Sequence, residues 1–384
     1  MKTRIRKTIV ILIIILIIIS YIYRQGSIKK HLFWNNKQPI ILHNKNSTTG
    51  IIKELVNLHI LDTPSNMKQI IFNNDNIDTL INFVNNHFEE KALITQSYIN
   101  WQLPNSLLYG LKGNDLYGVI VGNIVYLNIF NKRYKTIYVD YLCIDKKYRT
   151  QNYTPLLISF IIDYMKKNEC YISLFKSDNT KHHFKHFYET NYYTLDVKSY
   201  YKRNKIISNN KIVNLYNSIS NKRDSLIDSA GTNVSIRRLN NIDELSILFD
   251  IYTICNHTYK VYEEIDKKTF YNKLSNNIVN VSVFELDNKI IGYIVLTKLY
   301  YPKIQSNIYD IYHFFISDPV YLTTTFLTKL IKYFVDYNIL YISTLSNETT
   351  AFLIKNLNML KGAKTYYYLY NYNINIASKD VLLF

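Results

Sequence analysis

Beyond residue 30, strand-like stretches alternate with helix-like ones, and this alternation restricts the fold more than any other feature of the chain. Residues 116–130 and 134–144 are β-rich, and the Asn131-Lys132 region between them predicts a hairpin. A helix is expected from Pro155 to Lys167, with Thr154 as its N-cap and proline in its first turn. Such an order is typical of an α/β domain.

The second half of the chain repeats this order coarsely, although residue identity between the halves is slight. Further helices are expected at 75–90, 242–255 and 321–337, and further strands at 279–286, 289–300 and 309–316. An Asn-, Ser- and Lys-rich stretch without a sustained period separates the halves, and we interpret 206–232 as a connector. The length of 384 residues and the 48% apolar composition allow two globular units, or one large one, with a substantial core.

The net charge indicates the class of partner, and the cysteine content indicates whether disulfides or metal sites are expected. The formal charge of +17 favours anionic partners such as nucleic acid, a membrane surface or the phosphates of a cofactor. No dense Lys/Arg block with interleaved aromatics occurs, so nucleic-acid binding is not expected. The three cysteines, Cys143, Cys170 and Cys255, are widely spaced and support neither a disulfide framework nor a thiolate metal site, and we predict no metal.

The amino terminus has four basic residues and then an apolar run from Thr8 to Ile22. As a helix this run spans about 22 Å, less than a hydrocarbon core of about 30 Å, and it can cross if flanking aromatic residues reach the interface. A cleaved signal peptide is the alternative, but no small-x-small site follows Ile19. We therefore expect residues 1–30 to be an uncleaved membrane anchor.

The stretch from Tyr138 to Ile162 is the most informative for chemistry. A β-run ends near Ile144, a turn with Lys146, Lys147 and Arg149 follows, and a helix opens at residues 154–155. Free backbone N–H groups, the positive end of a helix dipole and cationic side chains together favour a pyrophosphate site. A solvated basic turn is the alternative, because phosphate loops usually contain glycine and none occurs between Gly122 and Gly231.

Three segments in order along the chain resemble the N-myristoyltransferase family. Residues 141–155, YLCIDKKYRTQNYTP, are similar to its signature N-F-L-C-V followed by K-K-x-R-S-K-R-x-A-P. Residues 31–39, HLFWNNKQP, resemble its Y-Q-F-W-D-T-Q-P segment, and 367–371 within YYYLYNYN resemble Y-Y-L-Y-N-W. Matches that span the chain in the family's order are hard to obtain by chance.

The resemblance implies two GNAT-like α/β halves related by a pseudo-twofold, behind the N-terminal transmembrane helix. We expect an acyl-CoA-binding half at 31–205, the connector at 206–232 and a peptide-binding half at 233–384. The expected reaction moves a myristoyl group from myristoyl-CoA, a co-substrate, to the N-terminal glycine of an acceptor protein. No permanently bound cofactor is implied, and we expect a monomer.

Catalytic roles are also implied by the resemblance. The backbone amides of Tyr141 and Leu142 are expected to form an oxyanion hole, and the terminal carboxylate of Phe384 is expected to be the general base. Contacts to CoA are expected from Leu32, Phe33, Trp34, Tyr141, Leu142, Cys143 and Ile144, and from the turn with Arg149, Thr150, Gln151, Asn152, Tyr153 and Thr154.

The chain departs from the family pattern at several of these positions. Asp140 replaces an Asn beside the oxyanion pair, and Gln151 and Asn152 replace basic residues of the phosphate turn. Ser173 lies one register from the position at which the family has a catalytic threonine. The acidic residue that the family pattern has at 340–346 is missing. An inactive relative that binds peptide or acyl-CoA at a membrane is therefore an alternative.

An acetyltransferase of GNAT type is a third possibility, but the usual R/Q-x-x-G-x-G/A loop is absent. Because acyl-CoA is available mainly on the cytosolic side, we predict a single-pass membrane protein whose catalytic region faces the cytosol.

Overall fold

The computed structural model describes residues 38–39, 48–88, 92–178, 185–200, 202, 234–347 and 349–383. Over these residues the fold is mixed α/β, with one sheet of fourteen strands and a separate two-stranded pairing of β1 with β15. The strands are β1 Gly50–Ile51, β2 Lys68–Ile71, β3 Ser106–Lys112, β4 Leu116–Ile129, β5 Lys132–Ile144, β6 Ile172–Ser177, β7 Tyr188–Asp196, β8 Ser235–Arg238, β9 Val261–Glu263, β10 Val279–Leu286, β11 Lys289–Tyr301, β12 Ser306–Ile316, β13 Tyr341–Leu345, β14 Leu360–Tyr370, β15 Tyr372–Asn373 and β16 Val381–Leu382. The α-helices are α1 Ile77–His87, α2 Gln96–Gln102, α3 Tyr153–Lys167, α4 Glu244–Asn256, α5 Lys267–Leu274, α6 Thr324–Asp336 and α7 Ala351–Asn356.

The predicted hairpin is confirmed as β4 and β5, which pair antiparallel. Its turn is formed by Phe130 and Asn131, with φ of 50° and 64°, one residue earlier than expected. Two consecutive left-handed residues give the turn a twist that matches the flanking strands. The other helices and strands predicted from periodicity are also present, with ends that differ by a few residues.

The helix predicted from Pro155 is α3, but it begins at Tyr153 and its N-cap is Asn152 rather than Thr154. Asn152 adopts φ 61°, ψ 28° and makes no side-chain cap hydrogen bond. The predicted N-cap was wrong because Thr154 lies inside the first turn, where its backbone is already helical. The helix buries Leu157 and Ile161 against β3, β4 and β5.

The middle of the sheet interlocks residues from both sides of the predicted connector. Its order is β6-β14-β7-β13, so the late strand β14 lies between the two early strands β6 and β7, antiparallel to both. Strand β7 in turn pairs with β13. Parallel pairs, β5 with β6 and β12 with β13, flank this exchange. The periodicity of single segments cannot reveal such an exchange, since it depends on long-range pairing.

The membrane prediction requires correction. Among the residues that the structure describes, no helix combines the length and apolarity needed to cross a bilayer. This finding contradicts the prediction of a single-pass membrane protein whose catalytic region faces the cytosol. The expected anchor at residues 1–30 and the connector at 206–232 lie outside the described residues.

Candidate active site

A β-bulge in β5 is the centre of the site. The register pairs Val119 with Cys143 and Val121 with Asp140, so that Tyr141 and Leu142 together oppose a single residue of β4. Tyr141 has φ of 45°, which is rare for a bulky residue in a strand and costs about 1–3 kcal/mol. The bulge interrupts the regular ladder, so its backbone can serve a purpose other than strand pairing.

The carboxylate of Asp140 lies directly beside this bulge. Its Oδ1 accepts a 3.0 Å hydrogen bond from the backbone N–H of Tyr141, and its Oδ2 is 3.8 Å from Nζ of Lys176. Gln102 of α2 approaches the same carboxylate with Nε2 at 3.5 Å and accepts a 2.9 Å hydrogen bond from the Tyr141 hydroxyl. Asp140 is therefore not turned away from the bulge, and a cation lies beside it.

A cavity of about 1010 Å³ opens at the bulge. One of its walls is apolar and comes from the inner face of α3, with Ile158, Ile161, Ile162 and Met165. These side chains recur at helical spacing, so one face of the helix lines the cavity over about two turns. A volume and an apolar wall of this kind suit a ligand with a long hydrocarbon part.

The opposite wall of the cavity is polar and is built by strands of the exchanged region. Asp310 of β12 accepts a 2.9 Å hydrogen bond from the Ser343 hydroxyl of β13, and Thr365 of β14 donates a 3.3 Å bond to Asp178. Tyr192 and Thr194 of β7 also line this wall. The family pattern has an acid at the positions of residues 340–346, which this chain lacks; here the carboxylate of Asp310 on β12 lies beside Ser343 of β13.

The basic turn forms one rim of the cavity. Arg149 lines it and donates from Nη2 to the His87 carbonyl at 3.2 Å and from Nε to the Ile144 carbonyl at 3.3 Å. Thr150 and Asn152 both adopt left-handed conformations, with φ of 72° and 61°. They provide the backbone geometry for which glycine was expected, and the N terminus of α3 follows at once.

The predicted site residues separate into three groups. Those that line the cavity are Asp140, Tyr141, Leu142, Cys143, Ile144, Arg149 and Thr154. Those in the described turn that do not line it are Thr150, Gln151, Asn152 and Tyr153. Those outside the described residues are Leu32, Phe33, Trp34 and Phe384.

The last described residues enter the core. Val381 and Leu382 form β16, which pairs parallel with Val261 and Tyr262 of β9. Leu383 is 3% exposed and belongs to an apolar cluster that also contains Leu174, next in sequence to the cavity-lining Ser173. Residues 381–383 are therefore buried in the body of the protein.

Ser173 has a local partner. Its hydroxyl donates a 2.9 Å hydrogen bond to the Ile137 carbonyl and is buried at the cavity wall. Burial raises the pKa of the neighbouring Tyr138 and Tyr367 hydroxyls, so both are neutral at physiological pH. The carboxylates and cationic side chains that line the cavity are Asp140, Arg149, Lys176, Asp178 and Asp310.

Several cavity residues were not predicted from the sequence. The apolar face of α3 could have been found, because Ile161 and Met165 are four residues apart on a predicted helix. Lys176 and Gln102 could not, since each reaches Asp140 from a different element and only the folded sheet brings the three together.

Comparison with known proteins agrees with this geometry. Residues 67–182 match the model of a family described as myristoyl-CoA:protein N-myristoyltransferase, N-terminal domain. The matched segment contains α1 to α3, the bulge and the basic turn. The relationship inferred from the three sequence motifs is confirmed.

A viral relative and two solved structures extend the likeness. A protein of Amsacta moorei entomopoxvirus, named as a candidate glycylpeptide N-tetradecanoyltransferase, is 28% identical over 263 residues, which are 63% of this chain and 82% of the relative. Saccharomyces cerevisiae N-myristoyltransferase with bound myristoyl-CoA superposes with a TM-score of 0.71 at 16% identity, over 91% of this chain and 94% of the yeast chain. A second yeast structure gives 0.70 at 15% identity, over 90% and 89%. At these identities the two structures show a shared fold.

Proposed function

We propose that this relative of the N-myristoyltransferases transfers a myristoyl group from myristoyl-CoA to the N-terminal glycine of an acceptor protein. The observation that carries the proposal is the bulge at Tyr141 and Leu142, which lines the same cavity as the apolar face of α3 and the polar side chains of the exchanged strands. An acyl chain and a peptide amine could meet at this point, where the pairing of β5 with β4 is interrupted.

The reaction is addition of an amine to a thioester, followed by loss of the CoA thiolate. A base takes one proton from the glycine ammonium, the resulting amine forms the carbon–nitrogen bond, the carbon–sulfur bond breaks, and the second proton of the nitrogen passes to the departing thiolate. Negative charge develops on the thioester oxygen, and fixed N–H donors that face it lower the barrier by about 3 kcal/mol each. The backbone amides of Tyr141 and Leu142 are the donors in our proposal.

Both substrates have a place in the described geometry. The fatty chain follows Ile158, Ile161 and Met165 along α3, where burial of each methylene stabilises binding by about 0.8 kcal/mol. The pyrophosphate lies at the N terminus of α3 beside Arg149, where the helix dipole and the guanidinium both favour an anion. The acceptor peptide follows the polar wall with Asp310.

The general base in this proposal is the terminal carboxylate of Phe384, the residue after Leu383. Support comes from the burial of Leu383 and from β16, which directs the end of the chain into the core. A carboxylate in an apolar environment has a raised pKa, which makes it a better acceptor for the proton of an ammonium group.

We further propose that the chain consists of two corresponding halves, 31–205 and 233–384. The order β3-β4-β5-α3-β6-β7 corresponds to β10-β11-β12-α6-β13-β14, and in each half the long helix connects the two strands of a parallel pair. The exchange of β7 and β14 supports a pseudo-twofold relation between them.

The test is a transfer assay with purified protein, myristoyl-CoA and a peptide that begins with glycine. Free thiol release and the mass of the peptide are followed together. The wild-type chain is expected to give a peptide heavier by one myristoyl group. An inactive binding protein would bind both ligands and yield no product.

One variant tests the base separately. A glycine added after Phe384 displaces the carboxylate by about 3.5 Å, beyond hydrogen-bond reach, and should lower kcat roughly 100-fold or more. A glycine inserted into the exposed 64–66 turn is the matched control. Equal turnover by the C-terminally extended and wild-type proteins would exclude the terminal carboxylate as base.

A further inference from the structure

We propose that Lys176 is a positioning residue whose ammonium group offsets the charge of Asp140, so that negative charge can develop on the thioester oxygen at the bulge. The inference rests on the proposed function and adds a residue to its machinery. Asp140 and Lys176 both line the cavity, on neighbouring strands.

The sheet register places the two groups side by side. Strands β5 and β6 are parallel, and Val139 is paired with Phe175, so the next residues along, Asp140 and Lys176, are neighbours across the strands. Their side chains meet with Oδ2 to Nζ at 3.8 Å. Asp140 is 6% exposed, and the Lys176 side chain is 22% exposed, so solvent screens the pair only in part.

The carboxylate cannot leave the vicinity of the bulge without losing a hydrogen bond. Its Oδ1 accepts a hydrogen bond from the Tyr141 N–H at 3.0 Å, so this N–H, one of the two donors in the proposed oxyanion hole, is shared between the carboxylate and the thioester oxygen when substrate is bound. A fixed carboxylate next to a developing oxyanion repels it, because like charges a few ångströms apart interact strongly where water is limited. An asparagine at this position would accept the same hydrogen bond without adding charge.

Lys176 therefore supplies a positive charge that would not be needed if residue 140 were an asparagine. Its Nζ lies 6.0 Å from the centroid of the half-buried Tyr138 ring, and the nearby Tyr367 is buried. Aromatic surroundings weaken the solvent screening of Asp140 and increase the effect of a nearby cation. With the ammonium in place, the carboxylate and its partner are together neutral.

The experiment is a double-mutant cycle on the full chain, with Asp140→Asn, Lys176→Met and the double variant. For each, kcat and KM for myristoyl-CoA are measured with a glycine-initiated peptide, and unfolding midpoints verify folding. Lys68→Met removes one exposed lysine of β2, outside the cavity, as the control for net charge. Lys176→Gln takes the place of Lys176→Met if the latter does not fold.

Lys176→Met is expected to lower kcat roughly 10- to 100-fold with little change in KM. The double variant should return to within roughly threefold of Asp140→Asn, because the charge that required compensation is gone. The proposal is overturned if Lys176→Met retains the wild-type kcat, or if Lys176→Met lowers kcat by the same factor in the wild-type and Asp140→Asn proteins. Either result leaves the proposed function intact. A wild-type chain that gives no product refutes the proposed function, and the role of Lys176 fails with it.

Discussion

A buried histidine should make the stability of this protein depend on pH. His313 of β12 is 1% exposed and its ring is stacked on Tyr312 at 4.3 Å between centroids. Other groups around it are Tyr252, Phe270, Tyr293, Phe315 and the ammonium of Lys273. Burial and, to a lesser extent, Lys273 hold the pKa of His313 well below its usual value near 6.5.

The direction of the effect follows from proton binding. In the unfolded chain His313 takes up a proton as pH falls through about 6.5, whereas in the folded chain it stays neutral, so stability is lost below that pH. The loss approaches about 1.4 kcal/mol per pH unit, and between pH 7 and pH 5 it amounts to about 1.9 kcal/mol from this residue. Stability contributed by His313 is therefore fully present only above about pH 7.5.

The perturbation is His313→Phe, which keeps an aromatic ring in the stack and removes the titration. The free energy of unfolding is measured by urea denaturation at pH 7 and pH 5 for wild type and variant. Any packing cost of the substitution applies at both pH values, so it cancels in the difference. The variant should lose about 1.9 kcal/mol less than wild type between the two pH values.

The matched control is His257→Gln, which removes an exposed histidine at the end of α4. This variant should follow the wild-type pH dependence. The reasoning is refuted if His313→Phe and wild type lose the same free energy between pH 7 and pH 5. That result would mean that His313 also takes up a proton in the folded protein.

Two further substitutions test Arg149 at the cavity and the buried hydrogen bonds of Asn371. Asn371→Ala should cost about 3–5 kcal/mol in urea unfolding, because three side-chain hydrogen bonds to Lys53 and Tyr171, each 2.9–3.0 Å, are lost and alanine must adopt φ 63°. Asn371→Gly loses the same three hydrogen bonds but adopts φ 63° without strain, so it should cost less than Asn371→Ala. Arg149→Met should raise KM for myristoyl-CoA roughly tenfold at unchanged kcat, because a phosphate contact is removed. Arg238→Met, on β8 outside the cavity, is the control, and equal KM for both variants would contradict a phosphate role for Arg149.

Asn371 of the YLYNYN motif has a structural role that the sequence did not reveal. The motif was recognised by resemblance alone, and no periodicity explained its asparagine. In the structure Asn371 is fully buried and joins the backbone of Lys53 to that of Tyr171, residues 318 and 200 positions away. The Asn371 N–H also donates to the Pro39 carbonyl at 3.1 Å.

The strand β5 and the helix α3 could be predicted from the sequence for a physical reason. Strand, turn and helix signals are local, and the strand before Ile144, the basic turn and the helix after Asn152 were predicted to within a few residues. What local signals could not provide was the left-handed backbone of Tyr141 and Thr150, since both residue types normally avoid φ > 0.

By itself, the sequence determined the order of helices and strands, the apolar face of α3 and the relationship to a family, because each of these depends on local spacing or on matched motifs. Only the tertiary structure decided that β14 lies between β6 and β7, that Asp140 faces Lys176, and that the acid of the polar wall is on β12. These are pairings between residues far apart in the chain. Their free energy comes from contacts that form only when the sheet closes, so no single segment contains the information.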